Sequence, residues 1–241
     1  TAKALVLKPG FLSKEFKIGR RAAYVPPVRL YVFISFVFFL VLSLTSGKHE
    51  DEGSKAAGET TNTLNMSFAK IPSSELAGLS DPQIDSVLRA HDMEPGFWNH
   101  YLARQVARMA ASGRSEVNHM LIKGVSYMMF ALMPLFGLML FLFYRKTGEY
   151  YINCLVFSVH FHSFVFLLLT LDLLLGKFVD FFYLIAASIL GVAVYLWLAL
   201  KTTYAQRLFR TTLKTLTIGF IHLISIILSF MMMIFIGVLL F

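Results

Sequence analysis

Five runs of this 241-residue chain stay apolar over the length that a helix needs to cross a bilayer. They are 28–46, 124–144, 151–175, 178–200 and 217–241, each with very few or no charges. At 1.5 Å per residue, about 20 residues traverse roughly 30 Å of hydrocarbon. Barrel strands alternate polarity over about ten residues, and these runs do not alternate. The expected fold class is therefore all-α, a polytopic membrane bundle of about five transmembrane helices. Composition agrees: 57% of residues are hydrophobic and 15% charged, whereas soluble domains carry roughly 45–50% and 25%. The first run exceeds the apolar core of a cleaved signal peptide, about 7–15 residues, so it is expected to remain as a span.

The net charge of +8 is unevenly placed. Seven cations precede or open the first run: Lys3, Lys8, Lys14, Lys17, Arg20, Arg21 and Arg29, opposed there only by Glu15. Arg145 and Lys146 follow the second run, and Lys201, Arg207, Arg210 and Lys214 lie between the fourth and fifth. The short connection between runs three and four holds only Lys177, near Asp172 and Asp180. Basic residues gather on the cytoplasmic side of short loops. The N-terminus is expected in the cytoplasm and the C-terminus outside, consistent with an odd number of spans. In a membrane protein such charge reads as topology, and no nucleic-acid partner is expected.

Outside the spans, residues 1–27 set Phe11, Phe16, Ile18 and Tyr24 among the cations. This is the pattern of a segment lying along the inner leaflet, with Lys14, Lys17, Arg20, Arg21 and Arg29 at anionic lipid headgroups. Pro26-Pro27 redirects the chain into the first span. The one sizeable loop, 47–123, is expected outside the membrane. Its first part is polar, rich in Gly, Ser and Thr, and expected to be mobile. After Pro72 the character changes. Ser80 or Asp81 followed by Pro82 is a helix start, Glu94-Pro95-Gly96 breaks the chain, and a second helix follows with Phe97, Tyr101, Val106 and Met109 near one face. The loop is partly helical after residue 80 and reads as a small packed cap, or as a helix on the membrane surface.

Polar groups inside the spans mark candidate sites, because each is costly without a partner or a use. The third span carries His160 and His162, and the fifth carries His222. Residues two apart on an α-helix point about 200° apart, so the two neighbouring histidines cannot share a ligand. One of them is placed to meet His222, and two imidazoles from different helices can ligate haem iron or hold a pigment. The competing reading is that each histidine bonds a neighbouring helix. A zinc site is not expected, since no Cys or carboxylate third ligand stands out. The single cysteine, Cys154, excludes an intrachain disulfide and a CxxC motif.

Thr215, Gly219, His222, Ser225 and Ser229 form one small and polar stripe on the fifth span, and Ala187 and Gly191 form a small-xxx-small pair on the fourth. Small residues admit a close helix neighbour, and Ser or His bonds across the contact; the alternative is a polar path for a substrate. Pro134 and Gly137 mark a kink in the second span. No GxSxG, P-loop, HExxH or GxGxxG is present, and no enzymatic activity is expected.

Three stretches carry a resemblance: LKPGFLSKEFKIGRRAAYVPPVRLYVFISFVFF at 7–39, MMFALMPLFGLMLFLFYRKTGEYYINCLVFSVHFHSFVFLL at 128–168, and the basic loop and final span after Tyr204. Together they resemble an uncharacterised bacterial family of multi-pass membrane proteins, a domain of unknown function. Members often carry a Cys-rich, zinc-ribbon-like segment upstream, which is absent from the residues that start at Thr1. Cys154 stands where the family pattern implies a histidine, so a ligand role there does not carry over. The resemblance implies fold, topology and a bacterial inner-membrane location, and implies no activity. The expected role is a non-catalytic structural or accessory subunit that packs against other membrane protein subunits. A transporter or exporter component, and a haem- or pigment-binding subunit, are the alternatives.

Overall fold

A computed structural model describes residues 1–20, 22–53, 79–91, 94, 96–111, 114–176 and 178–240. The polar stretch 54–78, Arg21 and Lys177 lie outside the described residues. All regular structure among the described residues is helical: α1 (Ala2–Leu7), α2 (Phe11–Lys17), α3 (Pro27–Gly53), α4 (Asp81–Ala90), α5 (Phe97–Ala111), α6 (Arg114–Tyr144), α7 (Tyr151–Leu175), α8 (Phe181–Tyr204) and α9 (Leu208–Leu240). Five of these contain windows long and apolar enough to cross a membrane: Pro27–Thr45, Met120–Thr147, Tyr151–Leu175, Phe182–Tyr204 and Leu208–Gly237. The protein is a multi-pass, all-α membrane protein.

The observed helices overrun the sequence bounds where cations begin. α8 continues to Tyr204 and α9 starts at Leu208, whereas hydropathy alone ends the fourth span at 200 and opens the fifth at 217. Lys201, Arg210 and Lys214 are good helix formers, and long cationic side chains on a helix end extend out of hydrocarbon. Polarity changes there and helicity does not.

The chain divides into two compact units. In the first, residues 1–49 and 130–226, α7 is the centre: 61% of its apolar window is buried, against 11% for α9. Phe166 on α7 is buried and receives Tyr31, Phe38 and Phe39 of α3, with ring centroids 5.7, 5.1 and 5.9 Å away. α6 approaches α7 at Gly137, where a Cβ would lie 3.0 Å from the Leu155 Cα. The helix ends beside the basic connections meet in one cluster. Tyr144 and Tyr204 stack at 3.7 Å, Cys154 Sγ lies 3.4 Å from the Tyr204 hydroxyl, and Lys214 Nζ sits 4.1 Å above the Tyr144 ring.

The N-terminal segment packs onto this unit. Leu5 and Leu12 are buried, the Tyr195 hydroxyl donates to the Leu5 carbonyl at 2.9 Å, and the Thr203 hydroxyl donates to the Gly10 carbonyl at 3.3 Å. Gly10, between α1 and α2, has φ +77°, and a Cβ there would lie 2.5 Å from the Ala199 carbonyl oxygen. Glycine is required twice over, by conformation and by space.

In the second unit, residues 50–129 and 227–241, α4 and α5 pack through Ile84, Leu88, Ala103 and Ala107. The Ser80 N–H donates to the Gln83 side chain at 2.9 Å, capping α4, and Pro82 stands in its first turn. Ala103 and Ala107 form the face of α5 that packs on α4, while Phe97 is exposed. The Tyr101 hydroxyl donates to the Leu239 carbonyl at 2.6 Å, satisfying one of the four carbonyls that a helix C-terminus leaves open. α6 and α9 interlock reciprocally in this unit: Met233 lies over Gly124 and Met120 over Gly237.

Gly10→Ala is expected to lower stability by about 1–3 kcal/mol, the usual cost of a strained backbone position, read as an earlier thermal transition of the detergent-purified protein. An unchanged transition would show that the N-terminal segment does not dock where described.

Candidate functional site

The intramembrane histidines form the site that the sequence singles out, and the structure separates them. His160 and His162, both buried on α7, point to different neighbours as helical geometry requires. His160 Nδ1 shares a 3.0 Å hydrogen bond with Ser13 Oγ of α2. His162 faces His222 of α9, with ring centroids 5.6 Å apart and planes at 89°.

The protonation pattern of His162 follows from its partner. Its Nδ1 lies 2.8 Å from the Ser158 carbonyl oxygen. A carbonyl can only accept, so Nδ1 carries the hydrogen and the lone pair of the neutral ring sits on Nε2. Ser158 itself donates to the Met133 carbonyl at 2.6 Å. Met133 precedes Pro134, which has no N–H and leaves the α6 ladder incomplete. The Tyr151 hydroxyl reaches the Pro134 carbonyl at 3.4 Å. The carbonyl that the missing N–H leaves open is that of Phe130, four residues back; Ser158 and Tyr151 of α7 add donors to the carbonyls of Met133 and Pro134.

Aromatic rings enclose the pair. Phe136, fully buried, lies 4.5 Å from the His222 ring and 5.6 Å from that of His162, and Phe161 lies 5.5 Å from His162. Nδ1 of His222 is buried with no hydrogen-bond partner among the described residues. These contacts bear on haem. A macrocycle between the two rings would need a wide flat slot, and Phe136 fills the space beside both imidazoles. The residues present do not fit haem at this position, and no group of three or more His, Cys, Asp or Glu placed to hold a metal occurs among the described residues.

The stripe on α9 is divided. Thr215 is buried and bonds the Thr211 carbonyl at 2.8 Å, and Ser225 bonds the Ile221 carbonyl at 3.0 Å. Gly219 differs: a Cβ there would meet no described atom within 4 Å. Ser229, partly buried, lies in the second unit. On α8, a Cβ at Gly191 would lie 3.8 Å from the Leu168 side chain, but Ala187 is exposed. Of the headgroup cations, Lys14, Lys17, Arg20 and Arg29 are exposed.

Three residues that hold the N-terminal segment carry no sequence signal of their own. Ser13 is one small polar residue among many. Glu149, buried, pairs with Lys17 and accepts from Asn153 Nδ2 at 3.5 Å. Its one legible mark is being the only acid in an otherwise basic connection. Tyr195 reads from sequence as one more aromatic in an apolar run.

Residues 1–39 match the model of a family described as "Protein of unknown function (DUF3667)". The match covers α1, α2 and the first part of α3, and supports the resemblance to an uncharacterised family. The resembling stretches at 128–168 and after Tyr204 lie outside it. No curated protein and no solved structure matches the chain.

Ser158→Ala removes the buried donor beside Pro134. The expected cost is about 0.6 kcal/mol and at most about 1.7 kcal/mol, the average and maximum found for side-chain hydrogen bonds between membrane helices. Steric-trap or thermal unfolding in detergent checks it, and no loss would mean that the carbonyl finds another donor.

Proposed function

We propose that this membrane protein is a non-catalytic accessory or structural subunit that packs against another membrane protein through α8 and α9. One observation carries the reading: small residues suited to close helix approach are left uncovered by the described helices. Gly219 has open space where a Cβ would point, and Ala187 is exposed on α8. Without a hydrophobic drive between helices in lipid, such residues serve close packing. The intramembrane hydroxyls of α7 are, in contrast, used internally: Ser158 bonds Met133, Ser163 bonds Val159 and Thr170 bonds Phe166.

The chain sits in this reading in the bacterial inner membrane with its N-terminus in the cytoplasm. The charge bias supports that orientation, and the gathering of α6–α9 ends beside the basic connections is consistent with it. Exposed Lys14, Lys17, Arg20 and Arg29 then meet anionic headgroups.

Gly219→Leu tests the interface. A Cβ at Gly219 would meet no described atom within 4 Å, so the isolated protein is expected to keep its melting temperature while co-purification of membrane partners is lost. Retention of every partner by a folded Gly219→Leu protein would remove the α9 interface. The lipid contact has its own measurement: thermal stability is expected to be higher in anionic than in zwitterionic nanodiscs. That difference should shrink as salt rises, since about 0.1 M screens charges beyond roughly 10 Å. A salt-independent difference would sink the headgroup assignment.

A further inference from the structure

The geometry points to a binding site for a soft monovalent metal ion, of the Cu(I) class, between the imidazoles of His162 on α7 and His222 on α9. This goes beyond the accessory-subunit reading and does not depend on it.

Three features converge. His162 donates its Nδ1 hydrogen to the Ser158 carbonyl. Metal-binding histidines are held in this way, which fixes the tautomer and leaves Nε2 as the donor atom. His222 has a buried Nδ1 without a hydrogen-bond partner among the described residues, and such an orphan calls for an explanation, a bound ion being one. The third feature is distance. An imidazole nitrogen bonds a metal at about 2.0 Å, so two rings opposed across one ion on a straight line have centroids about 6.3 Å apart; the observed separation is 5.6 Å, and the rings open by a fraction of an ångström to take the ion. Perpendicular planes are compatible with this, because two-coordinate binding fixes the N–metal–N line and leaves the twist about it free. Haem fails here for want of lateral room, and a single ion needs none.

The donor set selects the class. Zinc takes four ligands and calcium six or more oxygens, whereas His162 and His222 offer two imidazoles. Imidazole suits copper, and low coordination with uncharged ligands suits its monovalent state. Phe136 at 4.5 Å from His222 adds an aromatic ring to the wall of the site, which favours a cation over an anion.

The test is competition for Cu(I) against a chromophoric chelator under reducing conditions, with X-ray absorption on the loaded protein in detergent. One Cu(I) per chain with two nitrogen neighbours is expected. His162→Ala and His222→Ala should each weaken binding by more than about 100-fold, exceeding the 10–100-fold typical of outer-shell changes. His160→Ala, turned toward Ser13, should leave it intact. No stoichiometric Cu(I), a shell of sulfur from methionine alone, or unchanged affinity in both variants would overturn the site. If a variant fails to fold, the nitrogen shell of the wild-type protein decides.

Discussion

Hydrocarbon offers no hydrogen-bond partner, so every polar group carried into it must be satisfied by the protein. That constraint makes the five long elements helices, and it also decides how they are joined. Beside Pro134 on α6, Ser158 and Tyr151 of α7 donate to the Met133 and Pro134 carbonyls. Where α9 ends, Tyr101 and Gln105 both reach the Leu239 carbonyl. Within each unit, polar side chains on one helix complete the backbone of another, and the apolar contacts build around those fixed points.

The same constraint gives the N-terminal segment its place. A stretch of cations and aromatics reads as something that lies on a membrane, and its described cations are exposed. Its backbone and its one-sided apolar residues are nevertheless tied to α7 and α8. Tyr195 and Thr203 take its carbonyls, Ser13 meets His160, and Lys17 meets Glu149. Gly10 allows the chain to come within contact of the Ala199 carbonyl. The segment matched by the family model is therefore a packed part of the first unit as well as its charged edge.

In the histidine site, rotation around α7 does the sorting. Two residues of separation send His160 to the N-terminal segment and His162 to α9, so one pair of like residues serves two different neighbours. Phe136 and Phe161 line the space around His162 and His222, whose ring centroids lie 5.6 Å apart.

Class and span number were legible from sequence because hydropathy over about 20 residues responds to the bilayer alone, independent of tertiary context. The opposite facing of His160 and His162 was legible as well, since helical geometry fixes it. Helix ends were not, because Lys201, Arg210 and Lys214 change polarity without ending a helix. Which histidine meets His222, which small residues are covered, and why Glu149 is buried depend on the rotation and neighbours of each helix. Gly191 and Ala187 are alike in sequence, yet a Cβ at Gly191 would lie 3.8 Å from the Leu168 side chain and Ala187 is exposed. Lipid treats every apolar face alike, so only packing between helices could assign those faces.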